Sequence, residues 1–233
     1  MMSLSIHHHA ERSPIYELHG NAALTLLGER LFVAGSQSDS EQLQCCALID
    51  LSNLPRVGFR GTDSATYLQR EGYQLPDAPN RAVVQASGES LLRLSQTEYF
   101  LLGSLHDGGA RIASEEASWH YDEGQANYLL PRQDSHAWFA LTGAYLPKLF
   151  AKVCGVDLRA EAFSVDAVVQ TSVARVNAIV VNAGIADLPI FHLLCDRASA
   201  HYLWGALLDA MEEFDGKPAG IGSLLDSATS AAG

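Results

Sequence analysis

An internal duplication limits the fold of this chain more than any other feature of its sequence. In the first copy a short apolar strand pattern ends at Gly61 and leads to a helical segment, 65–70. In the second copy a similar pattern ends at Gly143 and leads to 144–154, where apolar residues recur at the spacing of one helix face. The sequence therefore predicts the same strand, glycine and helix twice.

Each copy continues through a polar loop to the same four residues, Ala-Val-Val-Gln, at 82–85 and again at 167–170. Because the tetrapeptides follow the same elements in the same order, chance is a weak explanation for their identity. Two strand-like runs and a closing helix come next, the helix being weakly marked near 109–117 and clearly marked after Ser199. Each copy is read as β-α-β-β-α, so the prediction is an α+β fold of duplicated split β-α-β units.

The remaining segments are placed around these repeats. A further strand pair is expected before them, in 22–34 and 46–50, and Thr62 or Asp63 is expected to cap the first helix, as Ser199 caps the last. We predict a flexible N-terminal segment over 1–20, a first α+β unit over 21–130, a second over 131–215 and a loosely ordered tail over 216–233.

Composition and charge exclude several classes of protein. The chain has 15 Lys and Arg against 27 Asp and Glu, and its net charge of −12 makes nucleic acid an unexpected partner. No stretch approaches the roughly 18 apolar residues of a membrane helix, and no apolar leader is present, so the prediction is a cytoplasmic protein. Reduced thiols rather than disulfides are expected for the four cysteines, Cys45, Cys46, Cys154 and Cys195.

Few residues are arranged as an active site would require. The chain has no Walker A loop, G-x-S-x-G, H-E-x-x-H or C-x-x-C motif. Each weaker candidate has a structural interpretation. His7, His8 and His9 are interpreted as a solvated tail, 134–136 as a turn into a strand, and His192 as a satisfied core residue. The acidic pairs at 115–116 and 122–123 are interpreted as solvated charge, and the glycines at 220–222 are not expected to form a phosphate loop. The sequence thus predicts no catalytic residue and no metal site, and it leaves any cofactor-binding residue unknown.

Several segments resemble the folate-binding aminomethyltransferase family, which includes the T-protein of the glycine cleavage system. Residues 50–53 resemble its D-x-S-H segment, 139–143 its A-x-Q-G-P strand, 204–207 its Trp-x-x-Leu pattern and 216–222 its K-P-C-G-L-G segment. The resemblance implies that the duplicated units have the fold of the folate-binding domain of aminomethyltransferases.

Within that superfamily the chain is similar to the sarcosine oxidase gamma subunit family, from about Arg12 to Phe214. The similar segments are 12–14, 53–58, 75–80, 131–135, 170–175 and 202–204. This resemblance implies a non-catalytic scaffold subunit of a heterotetrameric enzyme that oxidatively demethylates sarcosine to glycine and passes the one-carbon unit to tetrahydrofolate. It also implies partner subunits of alpha, beta and delta type, which would hold the FAD, FMN, NAD and tetrahydrofolate, leaving no cofactor in this chain.

The chain departs from the aminomethyltransferase pattern at three polar segments of that family. Residues 87–91 replace an acidic D-D-L segment, 182–187 replace the G-Y-T-G-E loop, and 224–226 stand in place of an arginine and a glutamate. A pterin needs a buried carboxylate to pair with its amide and amino edge. An intact folate site is therefore not expected, and the family's C-terminal barrel is not expected either.

Two alternatives stay open at this point. The chain could be a free-standing folate-dependent aminomethyl or methyl transferase in which Glu89 or Asp187 supplies the missing acid. It could also be a stand-alone binding or maintenance protein of the same fold, although it lacks the K-G-C-Y-x-G-Q-E loop of the related iron–sulfur repair branch.

Overall fold

The computed structural model describes residues 11–36, 39–185, 188–222 and 224–225. Before the repeats come β1 (Leu24–Leu27), β2 (Arg30–Val33), α1 (Asp39–Cys45) and β3 (Ala47–Asp50). The first copy comprises β4 (Arg56–Arg60), α2 (Ser64–Arg70), β5 (Arg81–Val84), β6 (Ser90–Arg93), β7 (Glu98–Leu102) and α3 (Ala110–Ser118). After β8 (Tyr128–Pro131), the second copy comprises β9 (His136–Thr142), α4 (Leu146–Val153), β10 (Val168–Val173), β11 (Val176–Asn182), β12 (Ile190–Asp196) and α5 (Ala200–Met211), followed by β13 (Lys217–Pro218).

The predicted α+β class and the duplication are confirmed by the order of strands in the two large sheets. The first copy contributes β5-β6-β7-β4, and the second contributes β10-β11-β12-β9, all antiparallel to their neighbours. Each copy contains one strand more than the predicted β-α-β-β-α unit, because residues 82–84 lie in strand β5 and residues 168–170 lie in strand β10. These runs are too short to show a strand period by themselves, and their pairing with the next strand of the hairpin makes them strands.

The two copies exchange the strands that precede them. β3 comes before the first copy but pairs with β9 of the second, whereas β8 comes before the second copy and pairs with β4 of the first. The predicted pairing of 22–34 with 46–50 is therefore wrong, because β1 and β2 pair with each other as a separate hairpin. The limits of the two units at 130 and 131 stay a prediction.

Each duplicated glycine lies against the backbone just before one of the exchanged strands. Gly61 and Gly143 have φ values of +149° and +111°. A Cβ on Gly61 would overlap the carbonyl of Ala126, just before β8, and a Cβ on Gly143 would overlap the carbonyl of Cys45, just before β3. Glycine at both positions lets the chain turn and lets the backbones approach closely.

The two sheets face each other, and helices cover their outer faces. One apolar cluster joins Phe139 of β9 to Leu207 of α5, a second joins Trp138 of β9 to Phe100 of β7, and a third joins Phe59 of β4 to Leu68 of α2. The result is a four-layer arrangement of helices, sheet, sheet and helices. No helix in the described part of the chain is long and apolar enough to cross a membrane.

The helix starts differ from the prediction in detail. Asp63 precedes α2, but its side chain caps no helical N–H and accepts instead from the backbone N–H of Ala126 at 2.7 Å. Ser199 precedes α5 and likewise makes no side-chain cap. Asp63 therefore holds the segment that leads into β8, a long-range role that local sequence does not reveal.

Candidate functional site

Glu89 is a buried carboxylate just before β6, in the segment that departs from the acidic D-D-L pattern of the aminomethyltransferases. Its side chain is 1% exposed. One oxygen, Oε2, accepts from Ser87 Oγ at 2.6 Å and from Arg111 Nη1 at 3.4 Å. The other oxygen, Oε1, is buried and has no hydrogen-bond partner within the described residues. The carboxylate is thus held from one side by groups of the chain itself.

Arg111 connects this carboxylate to a second acidic residue through an aromatic ring. Its Nη1 also donates to Ser87 Oγ at 2.6 Å, and its guanidinium carbon lies 4.4 Å from the centroid of the Tyr73 ring. The Tyr73 hydroxyl donates to Glu115 at 3.4 Å, and the Tyr67 hydroxyl donates to Glu115 at 2.7 Å. The interpretation of Glu115 as a solvated charge is therefore wrong, because two tyrosines bind its carboxylate.

The surroundings of the two tyrosines raise the pKa of both phenol hydroxyl groups. Burial and the charge of Glu115 raise the pKa of Tyr73, and burial and the hydrogen bond to Glu115 raise the pKa of Tyr67. Both phenols stay protonated at neutral pH, so they act here as hydrogen-bond donors. Glu89, Arg111, Glu115 and the two tyrosines thus form a network of one cation, two carboxylates and two neutral phenols.

The second segment that departs from the aminomethyltransferase pattern begins at Asn182, whose side chain forms hydrogen bonds within the chain. Asn182, at the end of β11, donates from Nδ2 to the carbonyl of Phe163 at 2.7 Å, and its Oδ1 accepts from the N–H of Gly184 at 3.1 Å. The turn then closes through a bridge between Ile185 and Leu188. Asp187, the second acid considered from the sequence, lies outside the described residues.

The candidate histidines take the places that the sequence predicted. His136 is the first residue of β9, and its Nδ1 lies 2.8 Å from Ser135 Oγ, while Asp134 is exposed. His192 lies in β12, where its Nδ1 accepts from Trp138 Nε1 at 3.0 Å. The interpretation of 134–136 as a turn into a strand and of His192 as a satisfied core residue is confirmed.

The glycines at 220–222 are packed against the rest of the protein. The N–H of Gly220 donates to Asp39 Oδ2 at 2.8 Å, and the N–H groups of Ile221 and Gly222 donate to the carbonyls of Val33 and Ala34. A carboxylate of the chain thus occupies the place near Gly220 that an anion would need. This contact supports the prediction that the segment is no phosphate loop.

The described residues contain no group of three or more His, Cys, Asp and Glu side chains that could hold a metal ion. His7, His8 and His9 lie outside them. All four cysteines are free, and burial raises the pKa of Cys46 to about 11 and that of Cys195 to about 12, which disfavours the reactive thiolate. Asp122 and Glu123 are exposed, as predicted.

The two histidines predict how stability depends on pH. Burial lowers the pKa of His192 from 6.5 to about 4, and burial together with Arg132 and Arg56 lowers the pKa of His136 to about 4. The unfolded chain takes up both protons as the pH falls below 6.5, whereas the folded chain resists them down to about 4. The free energy of unfolding should therefore fall between pH 6.5 and 4, by up to about 1.4 kcal/mol per pH unit for each histidine.

Urea unfolding at a series of pH values checks this expectation. His192→Gln retains an acceptor for Trp138 Nε1 and removes one titrating group, so it should reduce the slope by about half. An unchanged slope in this variant would show that other groups cause the acid sensitivity.

Nothing in the sequence indicated that Arg111 or Tyr73 would lie near Glu89. No local pattern joins these positions, and only the return of the chain through β7 and into α3 brings them together. Arg111 is a single arginine in a weakly marked helix, and its local sequence does not indicate a contact with Glu89.

Proteins of known structure share this fold. One chain of the heterotetrameric sarcosine oxidase from Corynebacterium sp. U-96, in complex with pyrrole 2-carboxylate, is 21% identical, and the match covers 88% of this chain and 97% of that chain with a TM-score of 0.62. Aminomethyltransferase T of the glycine cleavage system from Bartonella henselae is 14% identical, with 90% of this chain covered and a TM-score of 0.66. The match spans 59% of that protein's length.

No protein-family model and no curated protein matches the chain. The predicted resemblance to sarcosine oxidase and to the aminomethyltransferases is confirmed as a shared fold.

Proposed function

We propose that this chain is a non-catalytic, gamma-type subunit of a heterotetrameric sarcosine oxidase in the cytoplasm. The proposal is supported by the extent of the fold match, which covers 97% of a chain of such an enzyme. The complex would demethylate sarcosine oxidatively to glycine and pass the one-carbon unit to tetrahydrofolate. Partner subunits of alpha, beta and delta type would hold FAD, FMN, NAD and folate, and this chain would supply scaffold surface.

The observation that carries the non-catalytic part of the proposal is the use of Glu89. A carboxylate that recognises a pterin has to accept hydrogen bonds from the amide and amino edge of the ring. Here Glu89 is almost completely buried, and Ser87 and Arg111 already donate to one of its oxygens. A ligand would have to break an ion pair inside the protein to use this oxygen, and such a break is costly.

One observation favours the free-standing folate-dependent transferase as a second candidate. The buried Oε1 of Glu89 has no hydrogen-bond partner within the described residues, and a buried acceptor without a donor costs free energy. A bound molecule with an N–H donor could satisfy it. The two candidates differ in whether the isolated chain binds tetrahydrofolate.

Purification of the tagged chain from its native host tests the proposal. We expect it to elute with larger subunits, in a complex with a flavin absorption spectrum and sarcosine-oxidising activity. The isolated chain should show no saturable binding of tetrahydrofolate in a titration followed by intrinsic fluorescence.

Elution of the chain alone and without colour would contradict the subunit proposal. Saturable tetrahydrofolate binding that is lost in Glu89→Gln would support the transferase instead, because this variant keeps the size of the side chain and removes its charge. Binding that Glu89→Gln leaves unchanged would place folate elsewhere on the chain.

A further inference from the structure

Strand β8 forms an open edge of the sheet that the first copy builds. It pairs with β4 on one side and is the last strand of that sheet. The edge strand at the opposite end, β5, is joined to the second copy, because the N–H of Ala82 donates to the carbonyl of Asp166 at 2.8 Å. In the described part of the chain, no backbone-to-backbone hydrogen bond joins the outer side of β8 to another segment. Such an edge can pair with a strand of another chain.

The alternation of the ladder identifies the backbone groups of β8 that point outward. On the β7 side of β4, the carbonyl of Pro55 accepts from the N–H of Gly103 at 2.8 Å. Successive residues of a central antiparallel strand bond alternately to its two neighbours, so Phe59 also bonds to β7. Leu129 lies opposite Phe59 on the β8 side. The N–H and C=O groups of Leu129 therefore point away from β4, toward the open edge.

Leu129 offers the central hydrogen-bonding groups of this edge. The residue is partly exposed, and its N–H and C=O have no other hydrogen-bond partner among the described residues. Pro131, the next residue that points outward, has no N–H, and its carbonyl accepts from Ser135 Oγ at 3.2 Å. A strand added here would therefore exchange its main backbone hydrogen bonds with Leu129.

Two exposed tyrosines lie beside this edge. Tyr121, in the loop before β8, stacks on Tyr128, the first residue of β8, with the ring centroids 6.2 Å apart and the planes 24° from parallel. The two residues are 57% and 48% exposed. Tyrosine is enriched at protein interfaces because its ring supplies a large contact area and its hydroxyl a hydrogen bond.

The charge around the tyrosines is negative. Between 112 and 131 the sequence has no Lys or Arg and four acids, Glu115, Glu116, Asp122 and Glu123. Asp122 and Glu123 directly follow the first tyrosine and are exposed, and no ion pair joins them to a cation of the described residues. Arg60, at the end of the adjoining strand, lies 3.9 Å from Glu98. A cationic partner is thus favoured here, and a second copy of this acidic chain is disfavoured.

We propose that the outer edge of β8 docks an extended, basic segment of a partner protein. The segment adds a strand to the sheet through the backbone groups of Leu129, a known mode of peptide recognition. Its cations lie against the two tyrosine rings and the two exposed acids, where cation–π and charge interactions are both favourable. The inference deepens the proposed function by naming a surface through which a scaffold subunit holds another chain, and it rests on that function for the identity of the partner.

Two peptides of opposite charge test the proposal on the isolated full chain. The basic peptide acetyl-RVRVRVR-amide and the acidic peptide acetyl-EVEVEVE-amide have the same length and the same alternation of side chains. In a titration of the ¹⁵N-labelled chain, we expect the basic peptide to shift the backbone resonances of Tyr128, Leu129 and Leu130 saturably. The acidic peptide should bind at least about tenfold more weakly, because its charges repel those of the edge.

A matched pair of variants isolates the backbone contribution. Leu129→Pro and Leu129→Ala both lose the leucine side chain, but only proline removes the outward N–H. Because this N–H makes no bond to β4, proline is acceptable at this edge position. Leu129→Pro should therefore bind the basic peptide about three- to tenfold more weakly than Leu129→Ala does.

The exposed tyrosines provide a second comparison that does not depend on the folding of Leu129→Pro. Tyr121→Ala should weaken binding of the basic peptide about three- to tenfold. Tyr202→Ala is the control, because Tyr202 is 58% exposed on α5, away from β8, and its loss should leave binding unchanged.

Four results would each overturn the proposal. They are the absence of saturable shifts in β8, equal binding of the two peptides, equal binding by the two Leu129 variants, and unchanged binding in Tyr121→Ala. The peptides require no partner subunit, so a negative titration is distinguishable from elution of the chain alone in the co-purification.

Discussion

Gly143→Ala is expected to destabilise the folded chain by about 3–5 kcal/mol, through steric overlap and backbone strain together. Its Cβ would overlap the carbonyl group of Cys45 and come within 2.9 Å of the Cys46 N atom. Both contacts are backbone atoms at the entry of β3, so neither can rotate away. The φ of +111° is also unfavourable for any residue with a Cβ.

Urea unfolding of the variant and of a matched control checks this value. Gly205 lies within α5, and nothing lies within 4 Å of a Cβ placed there. Gly205→Ala should therefore stabilise the chain by about 0.5–1 kcal/mol, as alanine does in an exposed helix position. If the two alanine variants had similar stability, the close approach of β3 to Gly143 would not exist in solution.

Arg56→Met should cost about 3–5 kcal/mol of stability, because it removes a fully buried cation that organises both copies. Nη1 donates to the carbonyls of Ser52 and Leu54 at 2.9 Å each. Nη2 donates to Gln133 O at 3.1 Å, and Nε donates to His136 O at 3.1 Å. Methionine fills a similar volume but leaves these buried carbonyls without donors, and each such group is costly.

The arginine is held mainly by carbonyl dipoles. Burial lowers the pKa of Arg56 to about 10, although the charge of Asp50 raises it. The side chain stays protonated at neutral pH, and it links the loop before β4 to the loop before β9. These are the loops that follow the two exchanged strands, so the loss of Arg56 should loosen the junction between the copies.

Arg60→Met is the control, because Arg60 lies at the end of the same strand with a side chain that is 67% exposed. Its removal should change the free energy of unfolding by no more than about 0.5 kcal/mol. A loss in Arg56→Met as small as in this control would show that water replaces the guanidinium at the carbonyls.

Local patterns in the sequence were sufficient to predict most of the repeated elements. The helix face after Gly143 appears as α4 (Leu146–Val153), and the weakly marked segment near 109–117 appears as α3 (Ala110–Ser118). The core position of His192 was also predicted correctly from the apolar strand around it. Each of these features depends on residues within about two turns of helix or one strand, where side-chain periodicity is direct evidence.

Local patterns could not predict which residues surround the candidate site. The sequence drew attention to Glu89, but the partners that hold it, Arg111 and Ser87, could not be assigned. Arg111 lies in α3, 22 positions along the chain from Glu89. No local pattern relates these two positions.

By itself, the sequence determined that this chain has two similar α+β units and where the helices of each unit lie. The tertiary structure alone decided that β3 and β8 exchange between the units, and that Arg56 joins the loops after them. The physical reason is the range of the interactions. Helices and hairpins form from neighbours along the chain, whereas strand exchange and buried charge depend on which distant surfaces pack together.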